Sequence, residues 1–390
     1  MEKMVLEEEI VIVGAGIAGL ATAVALKRVG IRALVLERSD GLRVSGAALT
    51  LAPNALLALD ALGVAHKLTP RYAVREKTCV TNVATGAVQE VSLIRNNRGG
   101  PITVHRKALL ESLAEELPRH LIRFSSKPIS IEAQAQEGPY TIRLEDGTVI
   151  TTKVLIGCDG VHSFVARKLG LAEPVNSGRS SVAALAVFPE GHGVREHGCI
   201  IPLNDKEIYW FLTFNTPKGE TMTKDPQEIQ KQVIENYAKD FPPIYAEVVR
   251  HCDLSTLTLA PLRLRLPWDV IFGNVSKGNM TVAGDAMHPM TPDLGQGGCA
   301  ALEDAVVLGR HIGKSFIDNG EGYVKERRWR AAWLIAGSYF SGWAQMGGEG
   351  RLMKMFRDMI FYRFVLKRLI GIADYDCGKL PILDDQNKTH

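Results

Sequence analysis

The sequence predicts an α/β fold in which a nucleotide-binding domain is interrupted by a β-rich segment and followed by C-terminal helices. Three stretches carry this reading. Ile10-Val-Ile-Val-Gly-Ala-Gly-Ile-Ala-Gly-Leu20 is an apolar strand, a Gly-rich turn and the start of a helix; Val154-Leu-Ile-Gly157 is a second strand, running into Cys158-Asp159-Gly160; and Met280-Thr-Val-Ala-Gly284-Asp285 is a third, followed by a Gly-rich turn at Gly295–Gly298. A repeated passage from strand through glycine to helix is the pattern of a parallel sheet with helices on its faces. The 390 residues suffice for two or three domains, and 46% hydrophobic with 23% charged is a globular balance. A net charge of +3 without a Lys/Arg run interleaved with aromatics in the N-terminal two thirds argues against nucleic acid.

In the first turn Gly14 permits the sharp bend, Gly16 lets the backbone approach a pyrophosphate, and Gly19 lets helix and strand pack closely. Amides at the helix start are left for phosphates. Ala21, Ala25 and Leu26 favour the helix and Gly30 stops it. The next strand, Ala33–Leu36, ends on Glu37, eighteen residues past Gly19, where an acceptor for ribose hydroxyls belongs. Together these make the domain Rossmann-like.

The loop Arg38–Gly46 leads to a helix opening at Asn54 after Pro53 and closing at Gly63, with Leu56, Leu57, Leu59 and Leu62 as its apolar face. Residues 74 to 104 alternate as strands, with turns at Thr85-Gly86 and Arg98–Pro101. An amphipathic helix begins at His105-Arg106, a strand follows at Ile122–Phe124, and Tyr140–Ile150 reads as a hairpin around Asp146-Gly147. The β-rich middle contains Ser181–Phe188, Gly198–Pro202 and Ile208–Phe214, then a helix from Pro226 to Phe241. Tyr209, Phe211 and Thr213 share one face of their strand, with Trp210, Leu212 and Phe214 on the other. One face packs on the neighbouring helix and the other is available to line a ligand cavity. We assign residues 1–75, 101–175 and 270–322 to the nucleotide-binding domain, 76–100 and 176–269 to a β-rich substrate domain, and 323–390 to a C-terminal helical region.

In the third motif Asp285 can accept from a polyol hydroxyl, while amides at Gly295–Gly298 offer donors at a positive helix end. His288, alone in an apolar loop, reads as structural rather than catalytic. Cys79, Cys158, Cys199, Cys252, Cys299 and Cys377 lack CxxC or Cys/His metal spacing, so no metal is expected and the thiols read as reduced. The absence of a signal peptide pattern and of a membrane-length apolar run places the protein in the cytoplasm. Between Arg351 and Ile370 six basic residues face one acid, Asp358. A basic, apolar helix of this kind can lie on a membrane surface, but packing on its own protein is the preferred reading.

Gly14-x-Gly16-x-x-Gly19, Glu37-Arg38, Arg106, Cys158-Asp159-Gly160-Val-His-Ser163 and Gly284-Asp285…Pro292…Gly295-Gln-Gly297 together resemble the single-component flavin monooxygenases of the p-hydroxybenzoate hydroxylase type, from residue 10 to about 315. Ala47–Asn54 and Asp374–Pro381 further resemble the plant branch, which is similar to zeaxanthin epoxidase and salicylate hydroxylases. The resemblance implies that Gly14, Ala15, Gly16, Ala18 and Gly19 hold the FAD pyrophosphate, with Glu37 and Arg38 at the adenosine end. It implies that Arg106 reaches the phosphates or ribityl chain, that Asp285 binds the ribityl hydroxyls, and that Asp159-Gly160 serves both FAD and the reducing nucleotide. Pro292, Gly295 and Gly297 then lie against the isoalloxazine, with Tyr209, Phe211 and Pro292 lining the substrate. Where many members carry Arg after Ser163, this chain has Ala166 and then Arg167, which puts the usual NAD(P)H contacts in doubt.

The implied activity is an NAD(P)H- and O2-consuming monooxygenase that hydroxylates a small aromatic or plant secondary metabolite through a flavin hydroperoxide, with epoxidation of a polyene or terpenoid as the alternative. Phe188 and Phe214 join Tyr209 and Phe211 as expected ligand-facing aromatics. No acid or base stands out. Two other classes stay open: an FAD oxidoreductase that inserts no oxygen, and a flavin-binding protein that has lost catalysis. The halogenase signature Trp-x-Trp-x-Ile is absent.

Overall fold

The computed structural model describes residues 5–42, 47–81, 86, 88–94, 99–134, 139–217, 223–314, 321–346, 350–365, 368–369 and 371–381. Thr85, Arg98, Lys367, Ile370 and residues 43–46 of the loop after Glu37 lie outside them.

Val5–Val13 is an interior strand of an eight-stranded sheet. Its half Ile10–Val13 is apolar at every position, as an interior parallel strand requires, and all four residues are buried. It pairs in parallel with Leu34–Leu36 on one side and with Val149–Gly157 on the other; Ile122–Arg123 and Met280–Val282 extend the parallel order outward. All five strands therefore end on one edge. Gly14, Glu37, Cys158-Asp159-Gly160 and Gly284-Asp285, far apart in sequence, emerge there together, where open α/β sheets bind ligands. The hairpin Tyr140–Leu144 with Val149–Thr152 turns at Asp146-Gly147, where Gly147 has φ of 85° and Asp146 accepts the Thr148 N–H.

Helix Ile17–Arg28 packs against helix Gly297–Lys314 so closely that a Cβ on Gly309 would sit 2.8 Å from the Cβ of Ala25. Helix Pro53–Ala61 packs beside it, buried through Asn54, Ala55, Ala58 and Leu59. The expected apolar face is thus corrected: Leu56 and Leu57 are only half-buried, because the small side chains give the closer approach.

The middle of the chain forms an antiparallel sheet in the order Ile200–Pro202, Glu207–Asn215, Val175–Val187, Thr258–Leu264. Thr258–Leu264 is not among the sequence expectations, because Pro261 interrupts its pattern. The strand tolerates Pro261 because it is the sheet's edge. The expected single helix from Pro226 is α-helical only to Gln232 and widens into a π-turn over Val233–Tyr237. This sheet has its own core, in which Trp210, Leu212 and Phe214 meet Ile229, Val233, Tyr245 and Val248. The hairpin Lys77–Thr81/Val88–Ser92 reaches the same sheet through a bridge from Cys79 to His197. Helices Glu321–Met346 and Arg351–Phe356 follow, then a π-helical stretch Arg357–Val365.

Candidate functional site

The three glycines of the first turn differ in what they serve. A Cβ on Gly14, whose φ is 107°, would stand 2.4 Å from the Cys158 carbonyl oxygen, and one on Gly19 would stand 1.8 Å from the Gly14 oxygen. Nothing lies within 4 Å of a Cβ built on Gly16. The fold itself thus requires Gly14 and Gly19, while the space at Gly16 remains for a ligand. No side chain caps the helix that begins there. Glu37 is buried at the end of its strand and accepts the Ala15 N–H at 2.8 Å and the Ser39 N–H at 3.0 Å, which fixes the carboxylate against the turn while lone pairs remain for a diol. Arg38 beside it is exposed. Ala18 is buried against Gly284, whose Cβ would come within 2.7 Å of it, so Ala18 couples the first motif to the third.

Asp159 is turned inward. Its carboxylate accepts the Ser163 hydroxyl and the Phe164 N–H at 2.6 Å, capping helix Phe164–Lys168; burial pushes its pKa up against these bonds. The junction therefore offers a ligand its main chain rather than this carboxylate. Ala166 is buried, and Arg167 points outward over the Phe164 ring. Arg106 starts its helix half-buried, and its N–H donates to the carbonyl of Ala47, a residue at φ of 36°.

Asp285 presents the opposite case. It is exposed on the turn Gly284–Ala286, near Gly297, and no donor among the described residues reaches its carboxylate. An ionised acceptor at the sheet's C-terminal edge, lacking a protein partner, suits a polyol chain. Pro292 and Gly295 are exposed on the following loop, with Gly295 at φ of 62°. Of the amides expected as donors, that of Gly295 is taken by the Pro292 carbonyl, which leaves those at the start of helix Gly297–Lys314. An open cradle at Gly16, acceptors at Glu37 and Asp285, and a helix start at Gly297 fit the phosphates, ribose, ribityl chain and ring of FAD in that order.

Buried ions behind this loop hold it in place. Asp304 accepts the Gly284 N–H at 2.8 Å, the His288 Nε2 at 2.6 Å and the Arg327 Nε at 2.7 Å. Glu303 pairs with Arg327 at 2.6 Å and Arg330 at 2.8 Å, and accepts from Asn54, which also donates to the Gln296 side chain. Burial lowers the pKa of His288, but Asp304 outweighs it and the net shift is upward; burial raises that of Asp304, but His288 and Arg327 bring it down to about 2. His288 is thus structural, as its loop suggested. Sequence reading missed this network, although two adjacent acids in an apolar helix were its visible signal.

A second buried pair ties the loop to the middle sheet. Arg179 and Asp293 form two 2.7 Å bonds, and Met346 touches both Arg179 and Thr213. Thr213, Phe211 and Tyr209 are half-buried on this face, and Tyr209 packs on Ala47, Ala48, Leu185 and Leu203 at its far end. The Tyr209 and Phe211 rings stack at 5.7 Å. Burial pushes the Tyr209 phenol up to about 12, so it is neutral and able to donate near neutral pH. Phe188 and Phe214, expected beside them, are corrected: Phe188 stacks on His251 and Phe214 on Tyr237, both inside the core on the other face. Pro292 thus belongs to a loop linked to the aromatic face through Asp293.

A nucleotide edge with a second, acid-bearing βα junction is the layout of a flavoprotein. Residues 7–332 match the family model described as FAD binding domain, so the chain belongs to that family and is an FAD-dependent monooxygenase. It is 39% identical over 404 residues to Monooxygenase 2 of Arabidopsis thaliana, covering 95% of this chain and 98% of that one. Among solved structures, Klebsiella pneumoniae HpxO complexed with FAD and uric acid shares the fold at a TM-score of 0.80 and 23% identity, over 95% of this chain and 96% of that one. A salicylate hydroxylase substrate complex shares it at 0.72 and 18% identity, over 96% of both chains.

Proposed function

We propose that this monooxygenase uses NAD(P)H and O2 to hydroxylate a small, largely apolar aromatic or conjugated ring bound between the Tyr209/Phe211 face and the Pro292–Gly297 loop. The observation that carries the reading is the half-buried aromatic row on the sheet face linked to that loop through Arg179 and Asp293. Bound FAD supplies the oxygen-transfer chemistry. The chain's residues do the rest. Tyr209 and Phe211 orient a flat ring by stacking, the buried Arg179–Asp293 pair closes one end against water, and amides at Gly297 offer donors to negative charge at the ring edge. The uric acid bound by the Klebsiella protein is a planar conjugated molecule of the size meant here.

This reading retains the division into a nucleotide-binding domain (1–75, 101–175, 270–322), a substrate domain (76–100, 176–269) and a C-terminal region (323–390); the separate core around Trp210 and the Cys79–His197 bridge support it. All six cysteines are free, which supports a reducing compartment such as the cytoplasm. The test is to screen phenolic, indolic and terpenoid compounds for faster NAD(P)H-dependent bleaching of the bound flavin, with product analysis. Phenolic or indolic rings should accelerate it and gain one hydroxyl. Acceleration by polyenes alone, with epoxide products, would overturn the aromatic reading, and bleaching by no ligand would favour a protein without oxygenase turnover.

A further inference from the structure

Helix Glu321–Met346 carries an outward face that water does not explain. From Trp329 to Met346 every exposed residue is aromatic, namely Trp329, Trp333, Tyr339 and Trp343, and Trp333 is 67% exposed. The inner face is well used, with Arg327, Ala331, Leu334, Ile335 and Ser338 buried, so the helix is correctly seated and the aromatics are surplus to its packing. Phe340 stacks on Trp343 and meets Phe356 and Phe361 edge-on, which continues the surface onto the next segment. That segment packs on its own protein in part, through the buried Phe361, but leaves Leu352 81% and Phe364 65% exposed. Contiguous apolar surface on this scale marks an interaction site.

Charge decides the occupant. Residues 351–370 hold six cations and one acid, in a chain whose net charge is only +3, and Arg368 is exposed. A second copy meeting this segment on a two-fold axis would bring the like charges of its sequence together. An anionic lipid surface instead complements the cations, and Trp and Tyr are the side chains that settle at the boundary between headgroups and acyl chains. Among the described residues no helix is long and apolar enough to cross a membrane, so the contact is peripheral. We propose that the outer face of helix Glu321–Met346, with the segment Arg351–Val365, docks on the surface of an anionic bilayer. The helix ends at Met346 beside Arg179 and Thr213, so docking brings a lipid phase near the proposed substrate face, a consequence that rests on the functional reading while the docking itself does not.

The test uses the full FAD-loaded chain and vesicles of phosphatidylcholine alone or mixed with phosphatidylglycerol. The protein should sediment with mixed vesicles, far less with phosphatidylcholine alone, release as salt is raised, and shift its Trp emission to shorter wavelength on binding. Trp329→Ser with Trp333→Ser should weaken vesicle binding by about tenfold or more, as expected from removing two buried aromatics, and an unchanged FAD content shows that the variant is folded. The proposal is overturned if the holoprotein ignores anionic vesicles at low salt, if the double variant binds as the native chain does, or if the native chain is a dimer that the double variant makes monomeric. Substrate screening without vesicles addresses the functional reading separately.

Discussion

Gly16 and Gly19 lie three residues apart and are glycine for opposite reasons. A methyl on Gly19 collides with the Gly14 carbonyl, whereas a methyl on Gly16 enters open space that the phosphates need. Gly19→Ala should therefore destabilise even the apo-protein, by about 1–3 kcal/mol or more. Gly16→Ala should leave apo stability nearly unchanged and lower FAD affinity; thermal melts with and without added FAD separate the two. Asp285 and the cysteines make a second contrast. Asp285→Ala removes a charged acceptor worth roughly 1.5–3 kcal/mol, so FAD should bind about ten- to a hundredfold more weakly. Cys158→Ala and Cys299→Ala should retain flavin, since both thiols are buried and the weak bonds that Cys299 donates to the Gly295 and Thr50 carbonyls, at 3.5 and 3.7 Å, supply no acceptor to a polyol chain. Equal flavin loss in all three would remove Asp285 from the site. The sequence exposed these positions because glycine and isolated acids at strand ends have few other uses. It could not show that Asp159 is turned inward, because a carboxylate's direction depends on Ser163 and on amides that the local fold supplies.

At the scale of elements, helix Gly297–Lys314 holds the flavin loop through charge. The pair Glu303-Asp304 is visible in the sequence, but Arg327 and Arg330 are selected as partners only when helix Glu321–Met346 folds back over it. The edge strand Thr258–Leu264 was hidden for a related reason, since its pairing, not its composition, makes Pro261 acceptable. The network should be felt as a pH dependence. His288 has a pKa raised above 6.5 in the fold, so its contribution is complete below that value and is lost as pH rises through the raised one. Asp304, lowered from 3.8 to about 2, contributes above 3.8 and is lost as pH falls toward 2. Asp304→Asn should cost roughly 3–5 kcal/mol by leaving Arg327 and His288 with one carboxylate fewer. It should also flatten the alkaline decline of Tm relative to the native chain. Parallel Tm curves for the two proteins, measured from mildly acidic to alkaline pH, would show that His288 is neutral throughout.

Across the whole molecule, function depends on one sheet having two different faces. Strand alternation announced both in the sequence, but not which face turned to the helices, because Tyr209, Phe211, Trp210 and Phe214 are all apolar enough for either. The structure assigns Trp210 and Phe214 to the helix side, with Phe214 stacked at 3.9 Å on Tyr237. Tyr209 and Phe211 face the side that Arg179 joins to Asp293 and the flavin loop. Truncating each face should separate stability from recognition. Phe214→Ala opens a cavity in a packed core and should cost about 3–5 kcal/mol, while any protein that folds keeps its ligand preference. Phe211→Ala should change Tm little, since its ring is only half-buried, and should retain FAD. It should nevertheless weaken the acceleration of flavin reduction by aromatic ligands by about tenfold, the scale of one lost ring-on-ring contact. The measurement is the ligand concentration for half-maximal acceleration in both variants, beside their melting curves. If Phe214→Ala shifted that concentration and Phe211→Ala did not, the substrate would lie on the opposite side of the sheet from the flavin loop, and the binding face proposed above would be the wrong one.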